Sequence, residues 1–236
     1  MDMIIFDLRG ELGHFRRPDT MGTHATYPFI TRTALRGLAA SILGLEILPS
    51  EVRCGIRLLS PIRTVAQEMS MHGKTWVSGG DEKSFNRPTA IELVVKPHYR
   101  IYYTGPLIGE LDQRLQMGQS HYHTYLGSAY CLTFPKWVMT LSSFEPLKPS
   151  GTEAITCASV VPAAAIKHLL PPEPGSEYAR VGGVLREYLG DRCFRGTLSL
   201  LYEVNGGPLR FIPTEYSADD LWHFYRLHSE GIVCLW

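Results

Sequence analysis

Cationic and aromatic side chains are concentrated in residues 13–33, GHFRRPDTMGTHATYPFITRT, directly after the first apolar run of the chain. Guanidinium groups bind phosphate, and aromatic rings stack on unpaired bases. The ordinary alternative for such arginines is a solvated or ion-paired surface position. The segment also precedes a predicted helix, whose free N-terminal amides attract anions. The pattern therefore favours RNA contacts at Arg16, Arg17, His24, Tyr27, Arg32 and Arg36.

A second group of chemically active side chains is His121-Tyr122-His123, with Tyr125 two residues further on. On a strand, His121, His123 and Tyr125 would share one face. Two imidazoles there could act as general acid and base on an RNA 2′-hydroxyl, form half of a metal site, or contact RNA. No spaced Asp, Glu or Cys accompanies them, which disfavours a metal. Nuclease chemistry with Tyr122 or Tyr125 as helper, RNA contact and a structural role stay open.

The third candidate is the insert at residues 67–89, QEMSMHGKTWVSGGDEKSFNRPT. It is polar and too long for a tight hairpin loop, and such loops inside compact domains are usually functional or disordered. Aromatic rings among cations are typical of surfaces that bind single-stranded nucleic acid. We predict RNA contacts at Lys74, Trp76 and Arg87, with a surface loop without function as the alternative.

The composition limits the function classes. The chain has 236 residues, 44% of them apolar, and its 23 basic and 23 acidic residues give no net charge. Any nucleic-acid binding must therefore come from a local patch. Five widely spaced cysteines without a C-x-x-C pair argue against disulfides and zinc and indicate a cytoplasmic protein. Neither a membrane-spanning run nor a nucleotide-binding motif occurs, so we expect no membrane association and no cofactor.

The elements that must position these residues follow a recognisable order. An apolar strand at 3–9 precedes a helix in 31–46, with Thr31 or Thr33 as N-cap and Gly44 as its end. Strands are predicted in 51–65 and 90–105, a second helix in 106–117 and a strand in 121–135. The order strand, helix, strand, strand, helix, strand is that of ferredoxin-like α+β domains, including RNA-recognition modules.

The chain changes character after a Pro/Ser/Gly-rich join at 145–151. We predict a short helix opened by Pro162, a hairpin across Asn205-Gly206-Gly207, and a strand near the end. The predicted division is a ferredoxin-like domain at 1–145, carrying the 67–89 insertion, and a smaller β-rich region at 146–236.

Three runs carry a family resemblance: GELGHFRRP at 10–18, TYPFITRTALRGLAASILG at 26–44 and HTYLGSAY at 123–130. They resemble the CRISPR-associated Cas-five (Cas5) family, the RAMP-type subunits of the type I interference complex called Cascade. The resemblance covers most of residues 1–140. It implies an RRM-like ferredoxin-like domain with a thumb-like hairpin at 67–89, in a ribonucleoprotein complex of antiviral defence.

The same resemblance implies a role. The protein would cap the 5′ handle of the CRISPR RNA, beside the large subunit and the backbone subunits, and would meet target DNA indirectly. Most members are not catalytic there, whereas a subtype I-C member cuts precursor RNA with a Tyr, Lys and His set. The Lys167-His168 pair lies outside the matched region, and the N-terminal motif is more similar to subtype I-B. A non-catalytic RNA-binding subunit is implied; a metal-independent endoribonuclease using His121 or His123, or a protein-only scaffold, is the alternative.

Overall fold

The chain has an α+β fold, which the computed structural model describes for residues 2–20, 22–73 and 85–236. The predicted α+β class is confirmed. The helices are α1 (Arg32–Leu43) and α2 (Ile108–Gln116). The strands are β1 (Met3–Arg9), β2 (Leu12–Gly13), β3 (Arg53–Leu58), β4 (Thr64–Gly73), β5 (Phe85–Val95), β6 (His98–Thr104), β7 (Lys136–Leu141), β8 (Glu145–Leu147), β9 (Ile155–Cys157), β10 (Val161–Pro162), β11 (Ile166–Leu169), β12 (Tyr178–Gly190), β13 (Cys193–Glu203), β14 (Leu209–Pro213), β15 (His223–Leu227) and β16 (Gly231–Leu235).

A four-stranded sheet in the order β3-β6-β1-β7 forms the centre, and all its neighbouring strands are antiparallel. Alternation along β1 sends Ile4 and Phe6 into the cluster that also holds apolar side chains of α1 and α2. Met3 and Ile5 lie in a second cluster together with side chains of β15 and β16. Both faces of the sheet are therefore buried, which explains why β1 reads as a continuous apolar run.

Helix α1 begins and ends at the residues that the sequence indicates. The Thr31 hydroxyl accepts a hydrogen bond from the Ala34 N–H at 3.2 Å, and Gly44 adopts the left-handed conformation at φ 79°. These are the usual N-cap and C-terminal devices, so the prediction is confirmed. The second predicted helix is confirmed as α2.

The predicted insert at 67–89 is, where described, part of a long hairpin. Strands β4 and β5 pair in continuous register from Thr64 opposite Val94 to Gly73 opposite Phe85. Arg87 is exposed on β5. Lys74 and Trp76, predicted to contact RNA, lie outside the described residues.

The strand predicted in 121–135 is wrong, because β7 begins only at Lys136. The preceding stretch is irregular, and its backbone closes the C-terminal end of α1. The N–H groups of His121 and Tyr122 both donate at 3.1 Å, to the carbonyls of Ile42 and Ser41. His121 and His123 therefore do not share a strand face.

The hairpin predicted across Asn205-Gly206-Gly207 is also wrong, because β13 and β14 belong to different sheets. The carboxylate of Glu203 instead shapes this turn by accepting backbone N–H groups of Asn205 at 2.9 Å and of Gly207 at 2.6 Å. The helix predicted after Pro162 is a single 3-10 turn followed by β11.

Strands β12 and β13 form the second long hairpin. Its turn contains Asp191 at φ 47° and Arg192 at φ 59°. Residues on both sides of position 145 share the main core cluster. Glu230, between β15 and β16, accepts hydrogen bonds from Arg57, Arg100 and Tyr102 on the central sheet. Residues 1–145 and residues 146–236 are thus held together by apolar packing and by an ionic cluster around the buried Glu230.

Candidate nucleic-acid interface

The segment between β2 and α1, here called the basic loop (residues 14–31), folds back on itself as a short antiparallel ribbon. The Tyr27 N–H donates to the Phe15 carbonyl at 2.8 Å, and the Arg17 N–H donates to the Ala25 carbonyl at 2.9 Å. Arg16 and Thr26 lie opposite each other in this ribbon. The backbone that carries the two adjacent arginines is therefore fixed by hydrogen bonds.

Two neighbouring elements hold the basic loop in place. On one side, His24 exchanges backbone hydrogen bonds with β5, donating to Ala90 at 2.8 Å and accepting from Glu92 at 3.0 Å. On the other side, the Tyr27 hydroxyl donates to the carbonyl of Gly183 in β12 at 2.6 Å. The loop is thus positioned by hydrogen bonds to both long hairpins, in addition to those within the loop itself.

Arg16 and Arg17 differ in how free their charges are. Arg16 is exposed, and among the described residues no carboxylate lies within 4.0 Å of it. Arg17 pairs with Asp19 at 2.7 Å and 3.1 Å and lies 5.9 Å from the Tyr27 ring. This hydrogen bond raises the pKa of Arg17. Arg16 can take a phosphate directly, whereas Arg17 must first give up Asp19.

Arg32 and Arg36 are structural, which corrects the prediction that they face a phosphate. The Arg32 side chain is buried and donates to three backbone carbonyls: Nε to Trp236 at 3.1 Å, Nη1 to Arg186 at 2.9 Å and Nη2 to Val52 at 3.0 Å. Burial lowers its pKa. Arg36 donates from Nη2 to two carbonyls of the 48–50 segment, both at 2.8 Å. Both guanidinium groups join α1 to other segments.

Tyr27 is likewise buried, with 5% of its surface exposed. Its hydroxyl is already bonded, and burial raises its pKa, so it supports the loop and cannot stack a splayed base in the predicted way. His24 is half-buried and stacks on His14 with ring centroids 6.4 Å apart. Nδ1 of His14 donates to the Glu92 carbonyl at 2.7 Å. Burial lowers the pKa of both histidines and so favours their neutral form.

The structure does not bring the second predicted group together with the basic loop. His121 and Tyr122 lie at the C-terminal end of α1, about 18 Å along the helix from its N-terminus, taking 1.5 Å for each of 12 residues. The His121 ring covers Gly44, whose added Cβ would meet it at 2.8 Å. His123, Tyr122 and Tyr125 are exposed.

A groove of about 380 Å³ lies beside the basic loop. One wall is α1 with the 46–48 segment, and the other is the hairpin of β12 and β13. Arg16 and Phe15 reach it from the basic loop, and Tyr188 and Phe194 reach it from the hairpin. A cation beside exposed aromatic rings is the chemistry of single-stranded nucleic-acid binding.

Sequence reasoning missed Tyr188 and Phe194. The available signal was two aromatic residues close to the same turn, Gly190-Asp191-Arg192, in a segment otherwise rich in charge. Recognising that turn would have paired them across the hairpin.

Two further observations limit the chemistry of the described residues. None of their His, Cys, Asp and Glu side chains form a group of three or more that could hold a metal ion. None of the described helices is long and apolar enough to cross a membrane.

Comparison with known proteins agrees with this fold. The family model described as CRISPR-associated protein (Cas_Cas5) matches residues 3–148. A solved structure described as "CRISPR RNA-guided surveillance complex" is 12% identical with a TM-score of 0.55, over 89% of this chain and 91% of that chain. Another, "Crystal structure of a CRISPR protein from Archaeoglobus fulgidus", is 10% identical with a TM-score of 0.55, over 99% of each chain. No curated protein matches the sequence. At such identities the two structures establish likeness of fold alone.

Proposed function

Because the chain belongs to the Cas5 family of CRISPR-associated proteins, we propose that it is a non-catalytic RNA-binding subunit of a type I interference complex. Its RNA is the CRISPR RNA, whose 5′ handle it caps. The observation that carries this proposal is the exposed Arg16 on a loop held by both hairpins, beside a groove with aromatic walls. Because the backbone that carries Arg16 is already fixed, binding a phosphate orders only the side chain and not the loop.

We assign the part of the chain before residue 146 to a ferredoxin-like domain and the hairpin of β4 and β5 to its thumb. The sheet order β3-β6-β1-β7 supports this assignment, since the four strands alternate with α1 and α2 in the order expected for that fold. Residues 146–236 form the β-rich remainder, which also supplies the hairpin of β12 and β13.

The partners in this proposal are the large subunit and the backbone subunits of a cytoplasmic complex, with target DNA met indirectly. Exposed apolar side chains in the loop before β7 support a protein contact, because such side chains favour burial. They are Tyr130, Leu132 and Phe134, the last 79% exposed. The N-terminal motif favours subtype I-B.

The test measures, by fluorescence anisotropy, how tightly the purified full-length chain binds a short repeat-derived RNA. The variant Arg16→Ala/Arg17→Ala should bind more weakly. It should also lower the slope of log K against log salt by about 1.4, since each phosphate contact on a single strand contributes about 0.7. Arg114→Ala is the matched control, because Arg114 is a surface arginine of α2 paired with Glu110. Unchanged RNA affinity in the double variant, or equal losses in both variants, contradicts the proposal.

The alternative is a metal-independent endoribonuclease. It is favoured by the exposure of His121 and His123, which leaves both imidazoles accessible to RNA. Incubating the chain with precursor RNA in EDTA separates the two functions. Cleavage that is lost in His121→Ala or His123→Ala supports the nuclease, and the absence of any product removes it.

A further inference from the structure

The hairpin of β12 and β13 is fixed relative to Arg16 by two long-range hydrogen bonds. A bulge interrupts its register between Val181 and Val184, and there the Gly183 carbonyl accepts the hydroxyl of Tyr27 at 2.6 Å. Further along β12, the Arg186 carbonyl accepts Nη1 of Arg32 at 2.9 Å. Bulges reorient a strand and its side chains. The distal half of the hairpin is therefore held over α1 rather than left free in solvent.

That distal half presents an aromatic pair to the groove. Tyr188 and Phe194 are cross-strand partners, with ring centroids 5.3 Å apart and planes at 48°. They are 38% and 43% exposed, although both line the groove. Two large rings left accessible inside a concave site point to a flat ligand that covers them.

The groove has the size and polarity of a site for one nucleotide. Its volume of about 380 Å³ is at the lower end of the range for small-molecule sites, about 300–1,000 Å³. Polar side chains also line the groove: the exposed Arg16 from the basic loop, and Glu46 and Thr33 from the wall formed by α1 and the 46–48 segment. A purely apolar peptide would cover the charge of Arg16 without offering it a partner, which is unfavourable. A nucleotide offers a phosphate to Arg16, and donor and acceptor edges to the Glu46 carboxylate and the Thr33 hydroxyl.

We propose that this groove holds one unstacked base of the bound RNA, with Tyr188 and Phe194 as its stacking surface and its phosphate on Arg16. The inference rests on the proposed RNA-binding function and deepens it. It assigns a base-recognition role to a hairpin outside the residues 3–148 that match the family model.

The experiment replaces successive bases of the repeat-derived RNA with 2-aminopurine, whose fluorescence is quenched when it stacks on an aromatic ring. The full-length protein should quench one position more strongly than its neighbours. Tyr188→Leu/Phe194→Leu keeps the apolar surface but removes both rings. It should abolish that quenching and weaken binding about 5- to 150-fold, the range expected for loss of one base–aromatic stack.

Two controls accompany the variant. Trp137→Leu removes an exposed ring from β7 and should leave quenching and affinity unchanged. Tyr188→Phe keeps the ring and should retain the quenching. Urea denaturation of each variant shows whether the fold is intact, which is expected because both hairpin side chains are substantially exposed.

The outcomes separate this inference from the function on which it rests. If the unmodified chain binds no RNA, both fail. If it binds RNA through Arg16 but quenching and affinity survive Tyr188→Leu/Phe194→Leu, the base site is overturned and the function stands. If that variant keeps RNA and quenching but no longer assembles with the other subunits, the groove is a protein contact and the base site is likewise overturned.

Discussion

Replacing Arg32 with alanine should destabilise the protein strongly, although Arg32 lies in the same basic stretch as Arg16. Its guanidinium donates hydrogen bonds to the backbone carbonyls of Val52, Arg186 and Trp236. Hydrogen bonds to a charged group contribute about 1.5–3 kcal/mol each. Water replaces part of three lost bonds, so we expect a loss of about 3–5 kcal/mol in the free energy of unfolding, typical of removing one partner from a buried charged interaction.

The assay is urea denaturation followed by tryptophan fluorescence. With an m-value of about 3 kcal/mol/M, this loss lowers the midpoint by about 1–1.7 M. Arg32→Lys keeps the charge, but a single ammonium cannot span the three carbonyls in the Arg32 geometry, so it should recover less than half of the loss. Arg17→Ala is the matched control and should cost less than about 1 kcal/mol, since its ion pair is exposed.

A loss below about 1 kcal/mol for Arg32→Ala, or a loss equal to that of Arg17→Ala, would contradict a structural role for Arg32. A stably folded Arg32→Ala protein whose slope of log K against log salt falls by about 0.7 would also contradict it, because the loss of one phosphate contact would return Arg32 to the phosphate-binding set.

Two further perturbations test the contacts that hold the basic loop in position. Gly127→Ala should destabilise by more than about 2 kcal/mol, because a Cβ there would lie 2.1 Å from the His14 carbonyl oxygen at a left-handed φ of 84°. Gly118→Ala, also at positive φ but with no atom within 4 Å of its Cβ, should show only the conformational cost of about 1–2 kcal/mol, and equal urea midpoints would contradict the clash. The second of these perturbations is a change of pH. Burial lowers the pKa of His14 and His24 below the ordinary 6.5, so below about pH 6.5 the unfolded chain binds more protons than the folded chain. Stability should be complete above about pH 6.5 and fall as the pH decreases below it; a melting temperature that rises between pH 7 and 5.5 would show the opposite sign.

Local signals predicted the elements whose determinants lie within a few residues. Thr31 and Gly44 delimit α1 because a cap hydroxyl and a left-handed glycine act within one turn. The helical spacing of α1 also indicated that two of the arginines would be buried. Arg32 lies three residues before Leu35, and Arg36 lies three residues before Ala39, on the face that packs inward. The burial of both arginines follows from that register.

The features that the sequence did not predict depend on contacts between residues that are distant in the chain. Nothing near Arg32 identifies the carbonyls of Arg186 and Trp236, which lie 154 and 204 residues away. The hairpin of β12 and β13 turns at Asp191 and Arg192, which adopt positive φ without a glycine at either position. The stronger sequence signal, Asn205-Gly206-Gly207, forms a turn between two sheets instead, because Glu203 organises its backbone. Aromatic residues on an unrecognised hairpin could not be assigned to the groove.

The bond between Tyr27 and Gly183 also has a consequence for the order of events during synthesis. The two residues are 156 positions apart, and a ribosome adds about 5–20 residues per second. About 8–30 s therefore pass between the appearance of the basic loop and that of the strand that holds it. During this interval the arginines are exposed on a nascent chain whose binding groove has no second wall. In the proposed RNA-binding role, selective capture of RNA should begin only after most of the polypeptide has left the ribosome.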